Sequence, residues 1–131
     1  MELENNIHKR SRDLTIFLNS NVDGVFYTGH ASILVRLNKK KYLFDYINNT
    51  NFYGNSWIFF PNQIIDKRLF NVDAVFVSHI HQDHYDPILL RKFQKKNIPI
   101  FILDGRPGFK SSLRKEKIKV KFIPVKKKNL Y

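Results

Sequence analysis

Three histidines and a carboxylate fall within six residues at Ser78-His79-Ile80-His81-Gln82-Asp83-His84. Imidazole and carboxylate are the donor types that hold zinc, iron or manganese, and a metal-bound water ionises near pH 7, ~8–9 units below bulk water. The run follows Val72 to Val77, a β-branched and aromatic stretch of the kind that forms a strand buried on both faces. Extended backbone repeats every two residues, so His79, His81 and Asp83 are expected on one side, with His84 swinging in as the chain turns. A segment this dense could serve two adjacent ions.

The elements that must position this segment can be read outward from it. After the motif, Asp86 as N-cap and Pro87 at the first helical position start a helix that carries Leu89, Leu90 and Phe93 inward, with its N-terminus directed near the site. Ile98 to Leu103 reads as a further strand. Asp104 to Gly108 reads as a turn and Phe109 to Lys117 as a short basic helix, and the alternation of Ile118, Val120 and Phe122 as a last strand. Upstream, Ile33, Val35 and Leu37 alternate before a turn at Asn38 to Lys40, with Lys41 to Asp45 as the hairpin partner and Val25 to Tyr27 as an earlier strand. Leu14 to Leu18 reads as a first short strand, and residues 1–13 as a loose, polar lead-in. Asn48 to Asn55 forms a polar loop leading to Trp57, Phe59, Phe60 and Pro61, aromatics that either line a pocket or cover the sheet. A strand-rich half followed by strands alternating with helices predicts one mixed α/β domain over residues 1–131.

Composition restricts the chemistry further. With 43% hydrophobic residues, twelve Phe and six Tyr, the chain has material for one core. It has no cysteine, which removes disulfides and thiolate metal sites. No stretch reaches the roughly 18 apolar residues of a membrane span, and the first twenty residues lack a signal-peptide layout, so a cytoplasmic protein is expected. The formal charge of +12 invites phosphate-rich partners, and Arg106, Lys110, Arg114, Lys115 and Lys117 cluster near one helix. Short lysine groups are more often solvated turns, and no nucleic-acid-reading motif accompanies them, so nucleic acid is the weaker alternative.

Ser-His-x-His-x-Asp-His after a buried strand resembles the signature of the metallo-β-lactamase superfamily. Gly29-His30-Ala31-Ser32, followed by the strand pair ending at Asp45, is similar to the entry segment of the branch with N-acylphosphatidylethanolamine-hydrolysing phospholipase D and lactonases. Trp57 with Pro61 resembles the branch containing the lactamase-like part of CMP-N-acetylneuraminate hydroxylase. The resemblance implies an αββα sandwich of two similar halves, with residues 24–125 as the first half. It implies a metal-dependent hydrolase of esters, lactones or phosphodiesters, with two zinc ions, or manganese or iron in their place. His79 and His81 would bind the first ion and Asp83 and His84 the second, Asp83 would also handle a proton, and Asp45 would orient ligands from behind. His30 would approach the site or substrate, or pack behind the sheet. Tyr46 stands where the family has proline.

The later histidines and bridging carboxylate of such a site have no counterpart, since no histidine follows His84 and only Asp86, Asp104 and Glu116 remain as acids. A lone half would leave one sheet face uncovered. The expectation is therefore a truncated hydrolase domain, a half-domain completed by self-association or a second chain, or an inactive interaction protein.

Overall fold

The computed structural model describes residues 2–48, 56, 64–103 and 105–124, with side chains from residue 5 onward. Six strands form one mixed sheet in the order β1 (Gly24–Gly29), β2 (Ser32–Leu37), β3 (Lys40–Phe44), β4 (Ala74–Val77), β5 (Ile100–Ile102) and β6 (Lys121–Phe122). The first three are antiparallel neighbours, and β3, β4, β5 and β6 run parallel. The helices α1 (Glu2–Asn19), α2 (Pro87–Lys95) and α3 (Pro107–Lys115) complete the α/β arrangement, with a 3-10 turn at Lys67–Phe70. The aromatic loop expected between residues 49 and 61, and Asp104, lie outside the described residues apart from the exposed Ser56.

The strands follow from side-chain alternation. Leu34, Leu43, Val75, Val77, Ile100 and Ile102 are buried on one face against Leu89, Leu90 and Phe93 of α2, Phe109 and Leu113 of α3, and Leu14 of α1. The opposite face carries a row of partly buried rings, Phe44 stacked on Phe76 at 4.7 Å and Phe76 on Phe101 at 5.1 Å. β4 is thus less completely buried than its composition suggests, because Phe76 sits on that second face. The β2–β3 turn consists of Asn38 and Lys39, both at positive φ, the two-residue geometry that matches strand twist. α2 begins as expected, with the Asp86 carboxylate accepting from Leu89 N at 3.0 Å and Pro87 in the first turn.

The N-terminal segment is the main departure. Residues 2–13 of the expected loose lead-in are helical and Leu14 to Leu18 is not a strand, because Glu2–Asn19 is one helix. Leu14, Phe17 and Leu18 sit at positions i, i+3 and i+4, a helical face that reaches the core, while Ile16 points outward. Tertiary contacts hold it there: Arg10 donates to Thr28 O at 3.1 Å, and Arg36 of β2 donates to the backbone carbonyls at its C-terminal end. The last strand is also shorter than the alternation of Ile118, Val120 and Phe122 predicts, because Ile118 is drawn into the core at the end of α3.

Tyr46 follows β3 and is buried, its hydroxyl donating to Ile64 O at 2.9 Å. Burial pushes its phenol up from 10.0 to about 12. Because the folded-state value lies above the unfolded one, the stability held by the neutral phenol is whole below pH 10 and is lost as pH climbs towards 12. That loss amounts to about 3 kcal/mol. Urea denaturation from pH 9 to 12 should give a decline that Tyr46→Phe flattens; an equally steep decline in the variant would assign it to other groups.

Candidate functional site

Strand direction brings the chemical residues together. β1 is antiparallel to β2 and β2 to β3, so β1 runs with β3 and β4, and the carboxyl ends of all three lie at one end of the sheet. His30 occupies the β1–β2 turn there, Asp45 immediately follows β3, and Ser78 to His84 follows β4. His30 (φ 46°) and Asp45 (φ 44°) both adopt the left-handed region, which costs a non-glycine residue energy and tends to be retained where function needs it.

The Asp45 carboxylate is the hub. Its Oδ1 accepts from Ser78 N at 2.7 Å, and its Oδ2 accepts from Ser78 Oγ at 2.7 Å and pairs with His84 Nδ1 at 2.8 Å. His84 therefore carries its proton on Nδ1 when neutral and turns Nε2 towards Asp83. That atom lies 3.4 Å from Asp83 Oδ2, which His30 Nε2 approaches to 2.9 Å. His30, one of the alternatives left open by the sequence, thus lies in the site. Ligand atoms of His30, Asp83 and His84 all fall within 4.8 Å of one another.

The four-ligand convergence expected from two-residue periodicity does not occur in that form. The chain leaves extended geometry after Val77 and turns, with His84 N and Tyr85 N both donating to His81 O at 2.9 Å. His79 Nε2 and His81 Nδ1 instead meet each other at 3.0 Å, and the His79 ring lies 4.1 Å from that of His84. Burial, then the neighbouring imidazoles of His84 and His81, holds the His79 pKa below its usual value and favours the neutral ring. At Asp83, burial pulls the carboxyl upward, but the bond from His30, then its own backbone N–H and the surrounding imidazoles, outweigh it and keep the group below the ordinary carboxylate range. Beside this cluster, at the first turn of α2, lies a cavity of about 550 Å³ lined by Asn48, Gln82, Tyr85, Pro87, Ile88 and Lys92. Asn48 Oδ1 is buried with no hydrogen-bond partner among the described residues.

No family model matches the chain. A curated relative, described as "Putative Rieske 2Fe-2S iron-sulfur protein" from Mycolicibacterium smegmatis, is 35% identical over 78 residues, which cover 58% of this chain and 15% of that protein. A solved structure, the isothiocyanate hydrolase from Delia radicum gut bacteria, superposes with a TM-score of 0.56 at 17% identity, over 78% of this chain and 41% of that one. The likeness shows the fold and no more. No family is assigned. The chain spans less than half the length of either protein it matches.

These findings overturn the expected membership of the metallo-β-lactamase superfamily, because the curated relative carries an iron–sulfur description and no family model supports the resemblance. The pair of zinc ions, and manganese or iron as their substitutes, goes with it. The geometry agrees as far as two ions are concerned: each needs about four ligands, and the described residues gather one group of three. An iron–sulfur cluster of Rieske type does not fit either, since two of its four ligands are cysteine and the chain has none.

Sequence reasoning assigned no role to Ser78. Its position directly before His79 was the available signal, since a hydroxyl there can join the imidazole to any carboxylate on the neighbouring strand. Among the described residues no helix is long and apolar enough to cross a membrane.

Proposed function

We propose that the cluster is the water-activating centre of a hydrolase acting on an ester, lactone or phosphodiester bond. The observation that carries this reading is the meeting of His30, Asp83 and His84 within 4.8 Å, with His84 oriented from behind by Asp45. An imidazole fixed by a carboxylate on one nitrogen presents the other as a ligand or proton acceptor of defined direction. The neutral imidazole of His84, held through Nδ1, would take the proton of a water positioned among the three side chains. Asp83, bonded to His30, would take and return a proton during turnover. The cavity beside α2 would receive the part of the substrate that does not react. The fold shared with an isothiocyanate hydrolase supports addition of water as the reaction type.

A nitrophenyl ester, a fluorogenic lactone and bis(nitrophenyl) phosphate test the reading directly. Turnover of at least one by the purified chain, lost in His84→Ala, is the expected result. Absence of turnover on all three, before and after incubation with a series of divalent metal salts, would overturn it.

The second face of the sheet favours another reading, that of an interaction half-domain. Val25, Tyr27 and Leu37 are exposed there beside the stacked Phe44, Phe76 and Phe101. That reading calls for an oligomer by light scattering together with no turnover.

A further inference from the structure

We infer that Ser78 is a positioning residue that relays the Asp45 carboxylate to His79 and fixes which nitrogen of that imidazole carries the proton.

The assignment comes from counting hydrogens. Ser78 Oγ lies 2.7 Å from Asp45 Oδ2 and 2.8 Å from His79 Nδ1. A hydroxyl has one proton to give, and a carboxylate oxygen can only accept. Ser78 therefore donates to Asp45, and its oxygen must accept from His79 Nδ1–H. The opposite arrangement, with Ser78 donating to His79, would leave two oxygen acceptors 2.7 Å apart with no proton between them. The backbone of Ser78 strengthens the relay, because its N–H donates to the other oxygen of the same carboxylate at 2.7 Å and locks the residue against the end of β3.

One carboxylate thereby sets two imidazoles. Asp45 holds His84 directly through Nδ1 and holds His79 through the Ser78 hydroxyl. Both rings then present Nε2 electron pairs, from rings only 4.1 Å apart. In the present arrangement the His79 pair is met by His81 Nδ1 at 3.0 Å, so His81 is the group that a ligand or water must displace from it. Free imidazole exchanges its proton between nitrogens, and each ring left unfixed would present the wrong atom part of the time. Fixing both through a single hub makes the pair act as one unit.

The tautomer statement stands on the hydrogen bonds alone, while its consequence for turnover rests on the hydrolase reading. Long-range ¹H–¹⁵N correlation spectra of the ¹⁵N-labelled full chain, at a pH where His79 is neutral, read the protonated nitrogen directly. The expected result is an Nδ1–H form at His79 in the wild type, lost in Ser78→Ala and retained in Ser78→Thr, whose hydroxyl can make the same two bonds. In Ser78→Ala the His84 signals should keep their Nδ1–H character, since its bond to Asp45 is untouched; this also reports that the site remains folded. An Nε2–H form at His79 in the wild type, or an unchanged His79 spectrum in Ser78→Ala, would overturn the relay. If the chain hydrolyses the test substrates, Ser78→Ala should lose about 10-fold in kcat, a part of what one positioned acid–base group contributes. A chain with the expected spectra and no turnover would keep the relay and remove the hydrolase reading.

Discussion

Alanine at Arg36 is expected to destabilise the fold by about 3–5 kcal/mol, because three helix-end carbonyls lose their donor at about 1–3 kcal/mol for each one left unsatisfied. Arg36 lies on β2 and is 6% exposed, yet its guanidinium reaches out of the sheet to the end of α1. There it donates to Phe17 O at 2.7 Å, to Leu18 O at 2.8 Å and to Ser20 O. The last carbonyls of a helix have no partner within it, and their partial negative charge favours a cation. The last turn of α1 contains no basic residue, so the charge is delivered from a strand. The guanidinium also lies 5.1 Å from the centre of the Phe17 ring. Against a typical total of about 5–15 kcal/mol, the loss should lower Tm by roughly 10–20 °C. Arg36→Met, which restores the apolar stem and not the donors, should recover little. A calorimetric shift under 3 °C in Arg36→Ala would mean that α1 is held without the guanidinium, by packing and its other hydrogen bonds.

This residue also explains why α1 was illegible in the sequence. Leu14 to Leu18 is too short for its period to separate strand from helix, and the decisive partner lies about twenty positions away on another element. Elsewhere local signals sufficed: the turn read at Asn38 to Lys40, one residue longer than the Asn38–Lys39 turn found, the run that becomes β4, and the Asp86-Pro87 start of α2 each act within a few residues of themselves. The site divides along the same line. Its residue types and its place at the end of β4 were readable from spacing, because a strand must end before polar ligands can gather. Their arrangement was not, because the period of two fails once the chain turns at Ile80. His30 and Asp45 enter through the parallel relation of β1, β3 and β4, a property of pairing that no single segment carries.

His84→Ala should reduce turnover by about 10²–10⁴-fold, the range associated with one positioned acid–base group. The more discriminating result comes from pairing it with Asp45→Asn. Asp45 contacts His84 Nδ1 at 2.8 Å, and the two form one unit if the role of the carboxylate is to fix the imidazole. Asparagine can turn an amide N–H towards Nδ1 and so favours the wrong tautomer, which makes the single Asp45→Asn variant costly as well. Once His84 is absent, that part of the penalty disappears, and the double variant should fall close to His84→Ala alone instead of to the product of the two losses. What loss remains beyond His84→Ala measures the second arm of the hub, through Ser78 to His79. Fully multiplicative losses would separate Asp45 from His84 and leave their 2.8 Å contact without a catalytic part.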